Sequence, residues 1–328
     1  MKQDSIRIGC FDAIKAFAMF LVIWGHCILH LTSWDRLDDT TFVIINSFHM
    51  PLFMVVSGYF SASSLEIGFK TLSWKKFKSL IIPCICWCLL LSVETYLTVG
   101  KILFANLVET FIMKYWFLRS LFCCYLLAFF LFRSPRWLAV LVFCFCLIIT
   151  LYNLNIMFPA FMCGLMIRKK NLLENSEFSS YLNVILISIL FIFLTYFYDA
   201  HVLNSPNRMG NIIISNSASL WGVYFYKTFY RIAVGVCGAY LIIIMMYKNF
   251  RNISGVVCNI GQRTMGIYLI QGIVLERIMS HTITYTGGAL LFDLVLAPLL
   301  SVVLMFIFYY LVLQIERKKR ISKFLLGR

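Results

Sequence analysis

Residues 11–31 read FDAIKAFAMFLVIWGHCILHL, an apolar run long enough to cross a membrane that nonetheless carries Asp12, Lys15 and His26. Ionisable groups in hydrocarbon are costly and point first to function. Lys15 and His26 are eleven positions apart, about three helical turns, so they share a face with an offset of only about 20°. They differ in depth by ~16 Å, which sets one near a membrane surface and the other well inside. Asp12, one turn before Lys15, is placed to pair with it. The structural alternatives are snorkelling for Lys15 and hydrogen-bonded packing for His26.

Composition extends this reading to the whole chain. Of 328 residues, 61% are hydrophobic and 13% charged, with a mean hydropathy of +0.86, outside the range of soluble domains. Apolar stretches recur at 11–31, 42–62, 79–98, 116–132, 137–152, 154–167, 181–198, 228–247, 254–276 and 289–314. They predict an all-α polytopic membrane protein of about ten transmembrane helices. The boundary between the fifth and sixth, at Tyr152 to Asn155, is weak. With the amino terminus inside, nineteen Lys and Arg fall in cytoplasmic segments, six in outer segments and four within spans. That asymmetry places both termini in the cytoplasm. It also explains the net charge of +15 without nucleic acid. The first span carries charges and lacks a small-residue cleavage site, so an uncleaved anchor is expected. With no long soluble block, residues 1–328 form one integral-membrane domain, and the loop at about 199–227 is its largest outer segment.

Twelve cysteines lie mostly within spans. Neighbours such as Cys84, Cys86 and Cys88 point to different helix faces and lack a matching histidine or carboxylate set, which favours packing over zinc or disulfides. No metal is expected on this reading.

The second span opens NSFHMPLFMVVSGYF, residues 46–60, and entering from outside it brings His49 to about the depth of His26. Ser57 and Gly58 follow two turns deeper. Gly allows close backbone approach and Ser offers a hydroxyl; small-residue helix packing is the structural alternative. Lys75, Lys76 and Lys78 then cluster on the cytoplasmic side, suited to phosphate groups or to anionic lipid.

In order and spacing these elements resemble the acyltransferase 3 family of integral-membrane acyltransferases, especially its fucose 4-O-acetylase-like branch. Lys15 and His26 match a basic-x10-His pattern, and Phe53, Ser57 and Gly58 an FxxSG element. Lys75, Lys76, Lys78 and Pro83 resemble the basic approach to the third helix, and Trp116, Phe117 and Leu118 a WFL element. Residues 266–271, GIYLIQ, resemble a late segment in which a histidine is common where Gln271 stands, so no proton-transfer role carries over there. Lysine at position 15 replaces a frequent arginine and loses its bidentate fork.

The resemblance implies O-acyl transfer, most often of acetyl, from cytoplasmic acetyl-CoA to a hydroxyl of a glycan or lipid-linked sugar, in a bacterial cytoplasmic membrane. On that basis His26 is the candidate general base or acyl carrier, with His49 and Ser57 as candidate donors to a developing oxyanion. Lys15, Lys75, Lys76 and Lys78 are candidates for the CoA phosphates. Trp116 and Arg119, one turn apart, are candidates for the acceptor, with Glu94 or Glu276 as alternative partners of Arg119. A transporter or flippase would share spans and buried charges, but repeated halves are typical there, and the distinctive residues here concentrate in the first four helices.

Overall fold

In the computed structural model, residues 9–100, 103–204 and 218–328 are described. Lys2, Arg7, Lys101, Arg208 and residues 205–217 of the expected outer loop lie outside them. Apolar runs become helices in the expected order: α1 (Gly9–Leu31), α2 (Thr40–Tyr59), α3 (Phe69–Thr98), α4 (Leu103–Met113), α5 (Trp116–Arg133), α6 (Arg136–Ile148), α7 (Leu154–Lys169), α8 (Tyr181–Tyr196) and α9 (Ala218–Asn249). A short helix, Val256–Gly261, precedes α10 (Thr264–Ile273), which runs into a π-helical turn at Val274–Met279; α11 (Ala289–Glu316) and α12 (Lys319–Leu325) complete the chain. Local chemistry sets several ends. Asp39 caps α2 by accepting from the Phe42 N–H at 2.8 Å, satisfying a donor that the helix start leaves unpaired. After α3, Gly100 adopts φ 72°, the left-handed conformation that ends helices most cheaply in glycine.

Three features bear on the ten-span expectation. Six helices among the described residues are both long and apolar enough to cross a membrane: α1, α2, α3, α5, α9 and α11. The single span expected over 254–276 is broken at Gln262 and Arg263, the latter anchored to Glu316 at 2.8 Å. Helix α4 was not anticipated: its eleven residues are apolar but too few to cross a membrane, and it packs along α3 with Asn106 Nδ2 donating to the Ser92 carbonyl at 3.1 Å.

Helices α1 and α2 form the centre of the bundle. In α2, 72% of the apolar window is buried against 28% in α11, so α11 turns most of its leucine and phenylalanine surface outward to lipid. Helix α8 is peripheral too, with no fully buried residue. A close backbone contact joins α2 and α7: a Cβ on Gly58 would collide with the Phe161 carbonyl, and one on Gly164 with that of Val55. Reciprocal glycines let two backbones meet, the small-residue packing of membrane helices.

Both ends of the bundle are defined by contacts. At the Gly9 end, Phe11 stacks on Tyr59 at 4.4 Å, Arg168 donates to the Tyr59 hydroxyl at 3.4 Å, and Arg133 donates to the Leu65 carbonyl at 2.9 Å. Helix α12 joins the same end of α11 and receives the Trp87 indole N–H at its Leu325 carbonyl, 2.8 Å. Basic residues counted as cytoplasmic thus gather at one end. At the Leu31 end, Thr32 bridges Tyr285 and Trp24 donates to the Asp293 carbonyl at 2.8 Å.

Candidate functional site

His26 lies five residues before Leu31, roughly 7.5 Å from that end of α1. Its Nδ1 is 3.9 Å from Glu276 Oε1, and the other carboxylate oxygen of Glu276 is ion-paired with Lys114. His30, one turn after His26, stacks on it with ring centroids 5.4 Å apart. Three remote segments therefore converge on one point. Glu276 sits within the π-helical turn at Val274–Met279, a geometry that recurs at functional sites because it shifts a side chain off the regular helical face. Lys114 closes α4, and the next residue, Tyr115, has φ 52°, a left-handed backbone costly for a bulky side chain. That turn is held by the Tyr115 hydroxyl, which donates to the Leu269 carbonyl at 3.0 Å, and by edge contact with Tyr268 at 5.9 Å. The strained link fixes where Lys114 points.

His49 is buried on the facing α2 and within electrostatic reach of His26. Its Nδ1 lies 2.7 Å from the Ile45 carbonyl. A proton on Nδ1 satisfies that oxygen and leaves Nε2 as an acceptor, so the bond to Ile45 selects the tautomer.

The other expected residues separate by depth. Lys15 pairs with Asp12 at 2.6 Å, and Asp12 also accepts from Gln262 at 3.3 Å; the pairing foreseen from their spacing is present. Ser57 is eight residues beyond His49 in α2, ~12 Å nearer the Gly9 end. The structure does not bring it to His26, which removes it from any oxyanion role beside that ring. Gly58 serves the α2–α7 contact. Trp116 is half-buried at the start of α5, two residues after Lys114. Arg119 is buried and pairs with neither expected carboxylate. Its Nη2 donates to the Ile112 and Lys114 carbonyls at 3.1 and 2.6 Å, capping α4, while the guanidinium faces Phe111 and Tyr152. Arg119 thereby positions Lys114. Its Nε and Nη1 remain buried without a hydrogen-bond partner.

Two clefts open at the Gly9 end. One, of about 800 Å³, is lined by Lys70, Trp74, Lys75, Phe77, Lys78 and Phe122. The other, of about 730 Å³, runs from Lys78 to Lys319, Lys323 and Arg328 of the carboxy-terminal segment. Lys75 and Lys78 face the first cleft, but Lys76 turns inward, its Nζ 3.6 Å from the Tyr125 ring centroid. The cluster of three lysines is a pair at the surface plus one packing residue. Trp74 and Phe77 stack in parallel at 5.8 Å beside them, forming an aromatic wall.

Sequence reading missed three members of the His26 cluster. His30 was legible in the H-x3-H spacing of α1. Lys114 and Glu276 are 162 residues apart, and no local signal joins them. The basic residues of α12 entered only as a topology marker, although they line a cleft.

The family model for an acyltransferase domain, of the acyltransferase 3 type, matches residues 8–315. Nodulation protein NolL of Sinorhizobium fredii (strain NBRC 101917 / NGR234) is 32% identical over 131 residues, 36% of this chain and 34% of that protein. The matched stretch thus covers about a third of that curated relative. No solved structure matches the chain.

Proposed function

The chain belongs to the acyltransferase 3 family and is a membrane acyltransferase, and we propose that it moves an acetyl group from acetyl-CoA to a hydroxyl of a glycan or lipid-linked sugar, with His26 as general base. The observation that carries this reading is the approach of the His26 Nδ1 to a carboxylate itself held by Lys114. A base is effective when a second group orients its ring and stabilises the imidazolium that forms. At 3.9 Å the histidine and carboxylate are beyond hydrogen-bond range, a separation of the kind that closes on substrate binding.

The donor enters at the Gly9 end, taken as cytoplasmic in a bacterial inner membrane. Lys75 and Lys78, with Lys319, Lys323 and Arg328 across the adjoining cleft, face the anionic phosphates of CoA. Trp74 offers a stacking face to adenine. The pantetheine arm then carries the thioester along the bundle toward His26, which is 17 residues from Gly9 and ~25 Å from that end. The acceptor approaches from the Leu31 end, where Trp116 provides an apolar face for a sugar ring. His26 removes the hydroxyl proton as the oxygen attacks the thioester carbonyl. The new C–O bond forms, the C–S bond breaks, and the CoA thiolate recovers the proton. His49, whose Nε2 is left as an acceptor, orients the attacking hydroxyl.

The test is purified protein supplied with acetyl-CoA and read for thiol release. Wild type should release CoA thiol in the presence of an acceptor, and His26→Gln should lose about 10²- to 10⁴-fold in turnover while still binding CoA. A transporter releases none. Near-normal turnover by a folded His26→Gln protein would remove His26 from the chemistry.

A further inference from the structure

His26, His30 and Glu276 offer three metal-ligating atoms that lie within 4.8 Å of one another. His26 and His30 are four residues apart on α1, the i, i+4 spacing that puts two imidazoles on one helix face in helical zinc sites, with a carboxylate supplied by a distant segment. Two ring nitrogens in this cluster, His26 Nδ1 and His30 Nε2, are buried without a hydrogen-bond partner. Such atoms lack compensation for their desolvation, and a cation of borderline softness satisfies both at once.

We infer that His26, His30 and Glu276 form an inhibitory divalent-metal site, selective for zinc-type ions over magnesium or calcium. Two imidazoles and one carboxylate suit Zn²⁺ or Co²⁺, whereas Mg²⁺ and Ca²⁺ favour all-oxygen shells. Zinc bonds to nitrogen and carboxylate oxygen at about 2.0–2.2 Å, so its ligand atoms sit roughly 3.3 Å apart. Rotation of the Glu276 and His30 side chains closes the remaining gap. Lys114 is the competitor. Its ammonium already holds one Glu276 oxygen, and a divalent ion beside it is repelled, so metal occupancy and the Lys114 pair are alternatives. Metal on Nδ1 of His26 leaves the ring proton on Nε2 and removes its capacity to accept another. The inhibitory consequence rests on His26 being the base; the binding site does not.

Titration of the full-length protein in detergent micelles with CoCl₂, followed by visible d–d absorption, and with ZnCl₂ by calorimetry tests the site directly. One ion per chain is expected. His30→Gln and Glu276→Gln should each weaken binding by at least about 10-fold, and Lys114→Met should tighten it. The opposite signs separate ligand loss from general unfolding. Absence of stoichiometric binding, or affinity unchanged in the His30→Gln and Glu276→Gln proteins, overturns the site. Zinc should also suppress thiol release by wild type and not by His30→Gln. Binding without suppression overturns the inhibitory assignment and counts against His26 as base, while the site itself stands on the titration.

Discussion

The two ends of the bundle solve different electrostatic problems. At the Leu31 end a few charged groups are half-buried and each has a fixed neighbour: Glu276 between Lys114 and His26, His30 stacked on His26. At the Gly9 end basic groups line two open clefts, and their partners are few and shallow, Arg328 on Glu316 at 3.0 Å and Lys78 over the Trp74 ring. In low dielectric a single partner decides the state of a charge, and losing it is expensive. In water each exposed contact contributes little and only the sum matters. On the proposed function, the enclosed end would carry the chemistry and the open end the capture of a polyanion.

The strongest way to break this contrast is at Glu276. Glu276→Gln keeps size but removes the charge that steadies an imidazolium, so turnover should fall by about 10² or more with little change in KM for acetyl-CoA. A large rise in KM instead would move Glu276 to donor binding and erase the division. Next is the pair Lys75→Gln and Lys78→Gln. Exposed charge contacts are worth about 0.2–1 kcal/mol each, so the double variant should weaken CoA binding by roughly 2- to 30-fold and flatten its salt dependence, leaving saturated turnover unchanged. Adding Lys76→Gln should contribute no further loss of CoA affinity, since Lys76 faces Tyr125. Affinity that follows Lys76 alone would refute the placement.

The smallest effect belongs to an exposed pair at the Leu31 end, apart from the His26 cluster. His201 Nε2 meets Asp38 at 2.7 Å, and that carboxylate raises the histidine above its ordinary value. A raised pKa stabilises the fold below the unfolded value, about 6.5, and the contribution is lost as pH rises through the folded value. His201→Gln should thus lower Tm slightly at pH 5.5 and leave it unchanged at pH 8.5. Loss confined to high pH would reverse the sign and exclude the pair as its cause.

How much of this was readable beforehand depended on range. The Lys15–Asp12 pair and the placing of His49 opposite His26 follow from helical periodicity, which a sequence displays directly. The basic end was legible because retention of Lys and Arg acts segment by segment. Helix α4 was hidden because eleven residues are too few for a span, and the contact that seats it, Asn106 on a carbonyl of α3, is tertiary. Glu276 was visible as a charge and invisible as a partner, since the π turn that aims it and the left-handed Tyr115 that aims Lys114 have no compositional signature. Ser57 misled for the opposite reason: its neighbour Gly58 carries a strong local pattern, and the structure spends it on packing.

Among the described residues, three π-helical turns interrupt the bundle, at Phe77–Ile81, Val274–Met279 and Phe292–Leu296, and they contain Lys78, Glu276 and Asp293. Each amounts to one extra residue wound into an otherwise regular helix. Excising a single residue from the middle turn would return it to α geometry, leave the flanking helix in place and re-aim the side chains of the turn itself. The carboxylate would leave His26 while the apolar helix remained a helix. Such a shortened protein would keep its membrane fold and lose its reaction, which makes helix register, as much as residue identity, a hereditary property of this site.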